Sequence, residues 1–88
     1  MSSDKQISNE IHLRRLTLDE ALPRLDEYLD DAFMAGMFSV RVIHGKGTGT
    51  LRQAVREYLA RHSLVKSYRP GAYGEGGSGV TIVELVHR

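Results

Sequence analysis

The segment from His44 to Gly49, His-Gly-Lys-Gly-Thr-Gly, combines residue types that could perform chemistry on a phosphate group. Glycines at alternate positions allow a tight turn and let backbone N–H groups approach a ligand. A helix predicted just after the glycines adds the positive end of its dipole. In such a loop Lys46 could hold a phosphate oxygen and His44 could move a proton. The spacing is neither a Walker A loop nor a dinucleotide fingerprint, and a simple glycine turn is the structural alternative.

Three arginines extend this candidate site. Arg14 and Arg15 end the first predicted strand, and Arg52 lies in the helix that follows the glycine loop. The carboxyl ends of parallel strands meet at one edge of a sheet, where ligands of open α/β sheets bind. We therefore predict that these arginines line one basic cleft with His44 and Lys46, the alternative being ordinary solvated charges.

His12 alternates with the apolar Ile11 and Leu13, so it is predicted to point away from the helices. Together with His44 it forms a weak metal-site candidate, because no carboxylate is placed to complete the three or four ligands that such sites use. We assign no metal ligands and no cofactor from the sequence, and a requirement for a divalent metal stays open.

Hydrophobic periodicity predicts the order β-α-β-α-β-β. Strand-helix-strand units take right-handed crossovers, so both helices should pack on one face of a four-stranded mixed sheet, an α+β two-layer sandwich. Pro23 falls in the second turn of the first helix. The predicted elements are a strand at Ile11–Leu13, a helix from Thr17 to Gly36, a strand at Val40–Ile43, a helix from Leu51 to His62 or Ser63, and strands at Val65–Tyr68 and Val80–Val86.

A second glycine-rich loop runs from Gly71 to Gly79. Its length predicts mobility, and Tyr68 and Tyr73 could stack on nucleic-acid bases. Glu75 is its one candidate acid or base. A flexible hairpin connection is the simpler alternative.

The 88 residues contain no cysteine, which excludes disulfides, thiolate metal sites and a cysteine nucleophile. No apolar stretch approaches the roughly 20 residues of a membrane span, so we predict no membrane association and a cytoplasmic location. Residues 1–6 are predicted to be a disordered lead-in and residues 7–88 a single domain. Residues 1–31 hold eight acids and four bases, whereas residues 32–88 hold eight bases and three acids, which favours a basic surface and an anionic partner.

Three segments carry a family resemblance: the Ile-His-Leu-Arg-Arg-Leu strand, the glycine loop with Leu51 and Arg52, and the later Gly-Glu-Gly-Gly-Ser-Gly-Val-Thr-Ile-Val segment. Over roughly residues 11–85 the sequence resembles the Smr (small MutS-related) domain. The resemblance implies a fold like the C-terminal domain of translation initiation factor three. It also implies binding of DNA or RNA, in many members with endonuclease activity, on stalled ribosomes in some branches or within a larger MutS-like ATPase chain in others.

The resemblance also implies site residues. Arg14, His44 and Lys46 match the family motifs and are predicted to be catalytic, with His12 as a fourth member. The predicted nucleic-acid contacts are Gly45, Lys46, Gly47, Thr48, Gly49, Arg15 and Arg52.

Two positions depart from the family pattern: His12 stands where the family has aspartate, and Arg15 where it has glycine. A histidine cannot supply a fixed negative charge. An inactive nucleic-acid or ribosome binding module is therefore the alternative to a nuclease. A third alternative is a protein-interaction domain that uses acidic residues of the first helix.

Overall fold

Two helices and four strands make up the domain in a computed structural model that describes residues 7–87. The predicted lead-in, residues 1–6, lies outside the described residues. The elements are β1 (Glu10–His12), α1 (Leu18–Met34), β2 (Ser39–Ile43), α2 (Thr50–Arg61), β3 (Val65–Pro70) and β4 (Val80–Leu85), with one 3-10 turn at Gly77–Gly79.

Helix α1 begins where its sequence predicts, at a capping box. The Glu20 N–H donates to Thr17 Oγ1 at 3.2 Å, and the Thr17 N–H donates to Glu20 Oε1 at 3.0 Å. These bonds satisfy two N–H groups that the first turn would otherwise leave unpaired. Pro23 consequently lies inside the helix. After the helix, Gly36 takes a left-handed φ of 79° and turns the chain toward β2.

The strands are arranged in the order β1-β2-β4-β3, which makes the sheet mixed, as predicted. Strand β2 is parallel to β1, with Ile11 opposite Val42, and antiparallel to β4, with Ile43 opposite Val80. Because the last strand of the chain is inserted between β2 and β3, it is hydrogen-bonded on both sides. The residues Val80 to Val83 of this strand are buried on both faces of the sheet, whereas Glu84 is exposed.

Both helices pack on one face of the sheet, which confirms the predicted two-layer architecture. Side chains from α1, α2, β2 and β4 share a single buried cluster, so neither helix can lie on the opposite face. The buried members are Leu13, Ala21, Leu25, Leu29, Ala32, Val40, Val42, Val55, Leu59, Val83 and Leu85. The other face carries Glu10, Arg41, Ile82 and Arg69 in neighbouring register on successive strands.

Strand β3 continues to Pro70 rather than ending at Tyr68, so the predicted boundary was two residues short. Proline lacks a donor N–H and is tolerated at an edge strand. Pro70 lies opposite Thr81 at the outer edge of the sheet. No helix within residues 7–87 is both long and apolar enough to span a bilayer.

A polar contact joins the two helices on the outside of the core. The Tyr58 hydroxyl donates to Asp26 Oδ1, and His62 Nε2 lies 3.1 Å from the same oxygen. His62 Nδ1 accepts the Leu64 N–H, so Nε2 carries the hydrogen and donates to Asp26. Hydrogen bonds from Tyr58 and then from His62 hold the pKa of Asp26 below its usual value.

This contact predicts a pH dependence of stability. A carboxylate with a lowered pKa in the folded state stabilises the fold above its unfolded pKa, near 3.8, and that contribution is lost as the pH falls through the lower folded value. We expect Asp26→Asn to lower the free energy of unfolding at neutral pH and to converge on wild type in strong acid. Urea unfolding at both pH values measures this, with Asp30→Asn on the same helix as the control. An equal loss at both pH values would contradict the assignment.

Candidate anion-binding site

The backbone of the glycine loop is shaped by left-handed conformations that glycine adopts at low cost. Gly45, Gly47 and Gly49 have φ values of 82°, 31° and 87°. Helix α2 begins directly afterwards, with Gly49 as its N-cap and no capping side chain. The Thr50 N–H donates to Thr48 Oγ1 at 3.4 Å, but Gly49 supplies no side chain for the N–H groups that follow, and together with the helix dipole these favour an anion.

A pocket of about 330 Å³ opens above this loop, and we call it the anion pocket. It brings together most of the predicted site residues, and no acidic side chain lines it. Its cations come from three elements of the fold: Arg15 from the turn after β1, Lys46 from the loop and Arg52 from α2. The lining residues are Arg15, Leu16, Thr17, Leu18, His44, Gly45, Lys46, Gly47, Thr48, Gly49, Thr50, Leu51 and Arg52.

Arg15 keeps the backbone shape that glycine would favour. Its φ is 68°, and among the described residues it is the one non-glycine with a positive φ. The left-handed conformation costs an L-residue roughly 1–2 kcal/mol. The turn after β1 therefore takes a backbone shape that suits glycine, and its Arg15 lines the anion pocket.

His44 is buried, with 5 % of its surface exposed. Its Nδ1 lies 3.0 Å from the Gly45 carbonyl oxygen, which can only accept, so Nδ1 is the donor. Nε2 is then the acceptor and takes the hydroxyl hydrogen of Thr81, at 2.9 Å. Burial, followed by the charges of Arg56 and Arg52, lowers the pKa of His44, whereas the bond to Gly45 raises it. A neutral ring with both nitrogens occupied holds the loop against β4.

The Thr81 hydroxyl yields a direct prediction. Thr81→Val keeps the side-chain shape but leaves His44 Nε2 buried without a donor, which costs about 1–3 kcal/mol. We expect the free energy of unfolding, measured in urea, to fall by that amount. Thr81→Ser retains the hydroxyl and serves as the control. Equal stability of the two variants would show that the hydrogen bond contributes nothing.

The structure divides the predicted cleft between two sides of the loop. Arg14 packs against Gly45: a Cβ at position 45 would lie 3.3 Å from Arg14 Cγ. Arg14 lines a separate groove together with Lys46. His12 lies on the sheet face opposite the helices, as predicted, beside Glu10 Oε2 at 3.1 Å. His44 follows Val42 in strand alternation and faces the helix side, so the two histidines do not form a shared metal site. Across the described residues, no group of three or more metal-ligating side chains occurs.

Hydrogen bonds to Glu75 anchor the second glycine loop. The Glu75 carboxylate accepts hydrogen bonds from Arg69 Nη1 and Nη2, at 2.7 and 3.0 Å, and from the Ala72 N–H at 2.8 Å. The bonds from Arg69 and then Ala72 lower the pKa of Glu75 to about 2. Glu75 thus anchors the loop through Arg69 and Ala72, and the mobility of the loop and an acid–base role of Glu75 stay predictions. Tyr73 is fully exposed, and its stacking on bases stays a prediction.

Sequence reasoning missed two residues that support the site. The Gly79 carbonyl accepts the N–H groups of His44 and Gly45, at 3.1 and 2.9 Å, and Thr81 bonds the His44 ring. Both come from the segment around the start of β4, which is distant in sequence. The available signal was the strand alternation, which places Val40, Val42 and His44 on one buried face.

The fold and the pocket define a class: a two-layer α+β domain with a basic, glycine-loop anion pocket at the edge of its sheet. The Smr domain family matches residues 11–86, and the chain belongs to that family. It is 56% identical over 82 residues to Endonuclease MutS2 of Caldicellulosiruptor saccharolyticus, covering 93% of this chain and 10% of that protein. It is 55% identical over 85 residues to Endonuclease MutS2 of Acetivibrio thermocellus, covering 97% and 11%. The chain thus spans about a tenth of these relatives.

Two solved structures share the fold. The crystal structure of the Smr domain of Thermus thermophilus MutS2 superposes with a TM-score of 0.85 and 49% identity, covering 88% of this chain and 96% of that one. The crystal structure of YdaL, a stand-alone small MutS-related protein from Escherichia coli, gives a TM-score of 0.83 and 26% identity, covering 88% and 63%. The fold predicted from the sequence is therefore that of solved Smr domains.

Proposed function

We propose that this domain binds the phosphodiester backbone of nucleic acid in the anion pocket. The observation that carries the proposal is the convergence of Arg15, Lys46 and Arg52 with the glycine-loop backbone around a pocket that no acid lines. Phosphates are the anions that such a set of guanidinium, ammonium and N–H donors suits best. The charge of this surface also agrees with a polyanionic partner.

Cleavage of the phosphodiester is the second candidate function, and it is favoured by the high identity to proteins named Endonuclease MutS2. In this proposal Lys46 and Arg14, which line one groove beside Gly45, neutralise charge that develops on the phosphate. His44 transfers a proton only after its Nε2 leaves Thr81, because both ring nitrogens are engaged. His12 points to the opposite face of the sheet and takes the place of a carboxylate, which favours binding over cleavage.

A strand-cleavage assay separates the two candidates. Supercoiled plasmid and labelled single-stranded RNA are incubated with wild type, His44→Ala, Thr81→Val and His12→Asp, with and without Mg²⁺ or Mn²⁺. Cleavage that is lost in His44→Ala but retained in Thr81→Val assigns proton transfer to His44, since the second variant disturbs only its support. Retarded mobility without cleavage in wild type, together with cleavage by His12→Asp, identifies a binding domain that lacks its carboxylate.

The cellular setting follows from the same proposal. The relatives are about ten times longer than the matched region, so we propose that the domain, residues 7–88, acts as one part of a larger MutS-like chain in the cytoplasm. DNA or RNA is its partner, and a ribosome carrying messenger RNA is one such setting.

A further inference from the structure

The glycine loop has a second side, which faces the sheet surface opposite α1 and α2. A groove of about 430 Å³ lies there between the loop and the Gly71–Gly79 segment, and we call it the sheet groove. Its volume is in the range of sites that enclose a small organic group. The lining residues are Arg14, Ile43, Gly45, Lys46, Gly76, Gly79 and Val80.

The floor of the sheet groove is aliphatic. Ile43 and Val80 are direct partners across β2 and β4, so their side chains lie side by side on the same face. His12 is the partner of Ile43 on β1, and its side chain is 62% exposed. An imidazole with polar ring nitrogens therefore adjoins an apolar floor. Val80 is 6% exposed and Gly76 packs against it, so the half-buried Ile43 is the accessible part of the floor.

The rim of the sheet groove is cationic. Arg14 and Lys46 are its charged lining residues, and no acid lines it. Lys46 also lines the anion pocket, so the two cavities share one wall. A nucleic-acid strand that crosses the glycine loop with one phosphate in the anion pocket would bring an adjacent nucleotide to the sheet groove.

From this arrangement we propose that the sheet groove receives a single unpaired base, with its planar face on Ile43 and its flanking phosphate between Arg14 and Lys46. The inference rests on the proposed nucleic-acid binding and narrows the substrate to strands with an unpaired nucleotide. A base inside a duplex is stacked and paired on all sides, so it reaches such a floor only after leaving the stack. His12 is placed to contact an edge of the base rather than the reacting phosphate.

The test compares two strands that differ only in their bases. Fluorescence anisotropy at low salt measures the dissociation constants for an oligothymidylate of about 12 nucleotides and for an abasic strand of equal length. Burial of the apolar face of one base against Ile43 should raise affinity, so we expect the thymidylate to bind about fivefold more tightly. Equal dissociation constants would overturn the sheet groove as a base site. Failure of both strands to bind would instead overturn the proposed nucleic-acid binding itself, and the groove with it.

A matched pair of variants tests whether the preference for thymidylate arises in the sheet groove. Ile43→Thr makes the floor polar while keeping a β-branched strand residue, and we expect it to abolish the preference for thymidylate but to leave abasic-strand binding unchanged. Ile82→Thr makes the same substitution on the same face, outside the sheet groove, and should keep the preference. A preference that survives in Ile43→Thr, or that both variants lose, would overturn the assignment.

Discussion

The double variant Lys46→Ala/Arg52→Ala should bind nucleic acid about 100-fold more weakly than wild type. Each side chain lines the anion pocket from a different element. A hydrogen bond to a charged group contributes about 1.5–3 kcal/mol, so loss of one contact reduces affinity by at least about tenfold. The dissociation constant should rise alike for all sequences, because phosphates carry no base identity.

The salt dependence of binding shows whether the lost affinity comes from phosphate contacts. Each lysine or arginine that neutralises a phosphate releases counterions, so the slope of log affinity against log salt should shrink by about one for each removed contact. Arg24→Ala/Lys66→Ala removes the same charge from exposed positions outside the anion pocket, on α1 and β3. A comparable loss in that control would mean that net charge, rather than the pocket, drives binding.

Gly76→Ala should be the most destabilising single change in the second glycine loop. A Cβ at this position would lie 2.3 Å from Val80 Cγ2, and the backbone φ of 109° is one that L-residues rarely adopt. Overpacking typically costs about 1–3 kcal/mol and the left-handed conformation about 1–2 kcal/mol more. We therefore expect a loss of about 2–5 kcal/mol in the free energy of unfolding, a large share of a small domain's stability.

Gly74→Ala separates the two causes. Gly74 also has a positive φ, 130°, but a Cβ there meets nothing within 4 Å. Gly74→Ala should therefore lower the free energy of unfolding only by the cost of the backbone conformation. Urea unfolding of both variants measures the difference. Nucleic-acid binding should fall further in Gly76→Ala, because displacement of this loop moves the Gly79 carbonyl away from the N–H groups of His44 and Gly45. Equal losses in the two alanine variants would rule out the contact with Val80.

Much of the local structure was predictable because its causes are local. The Thr17–Glu20 capping box, the apolar stripe of α2 and the alternating strands each depend on residues a few positions apart. The glycine loop was also recognisable as an anion-binding element, since its φ values and the following helix are properties of one short segment. The bounds of β3 were less accurate, because Pro70 suggests a turn until its edge position is known.

The candidate site was only partly predictable. Lys46, Arg15 and Arg52 do meet in one pocket. Arg14 was expected there too, but its side chain passes on the other side of Gly45. The hydrogen bonds of His44 could not be deduced from nearby residues, because Gly79 and Thr81 lie around the start of β4, more than thirty positions away.

Hydrophobic period, helix caps and glycine conformations act over short distances, so the order of the elements, the two-layer class and the chemical character of the glycine loop were all predictable from the residues alone. The position of β4 between β2 and β3, and the contact of its Thr81 hydroxyl with the His44 ring, emerge only from the folded chain. The tertiary structure also decided that the loop separates an anion pocket from the sheet groove. The physical reason is that strand pairing joins residues distant in the chain, and the side on which a residue lies follows from that register.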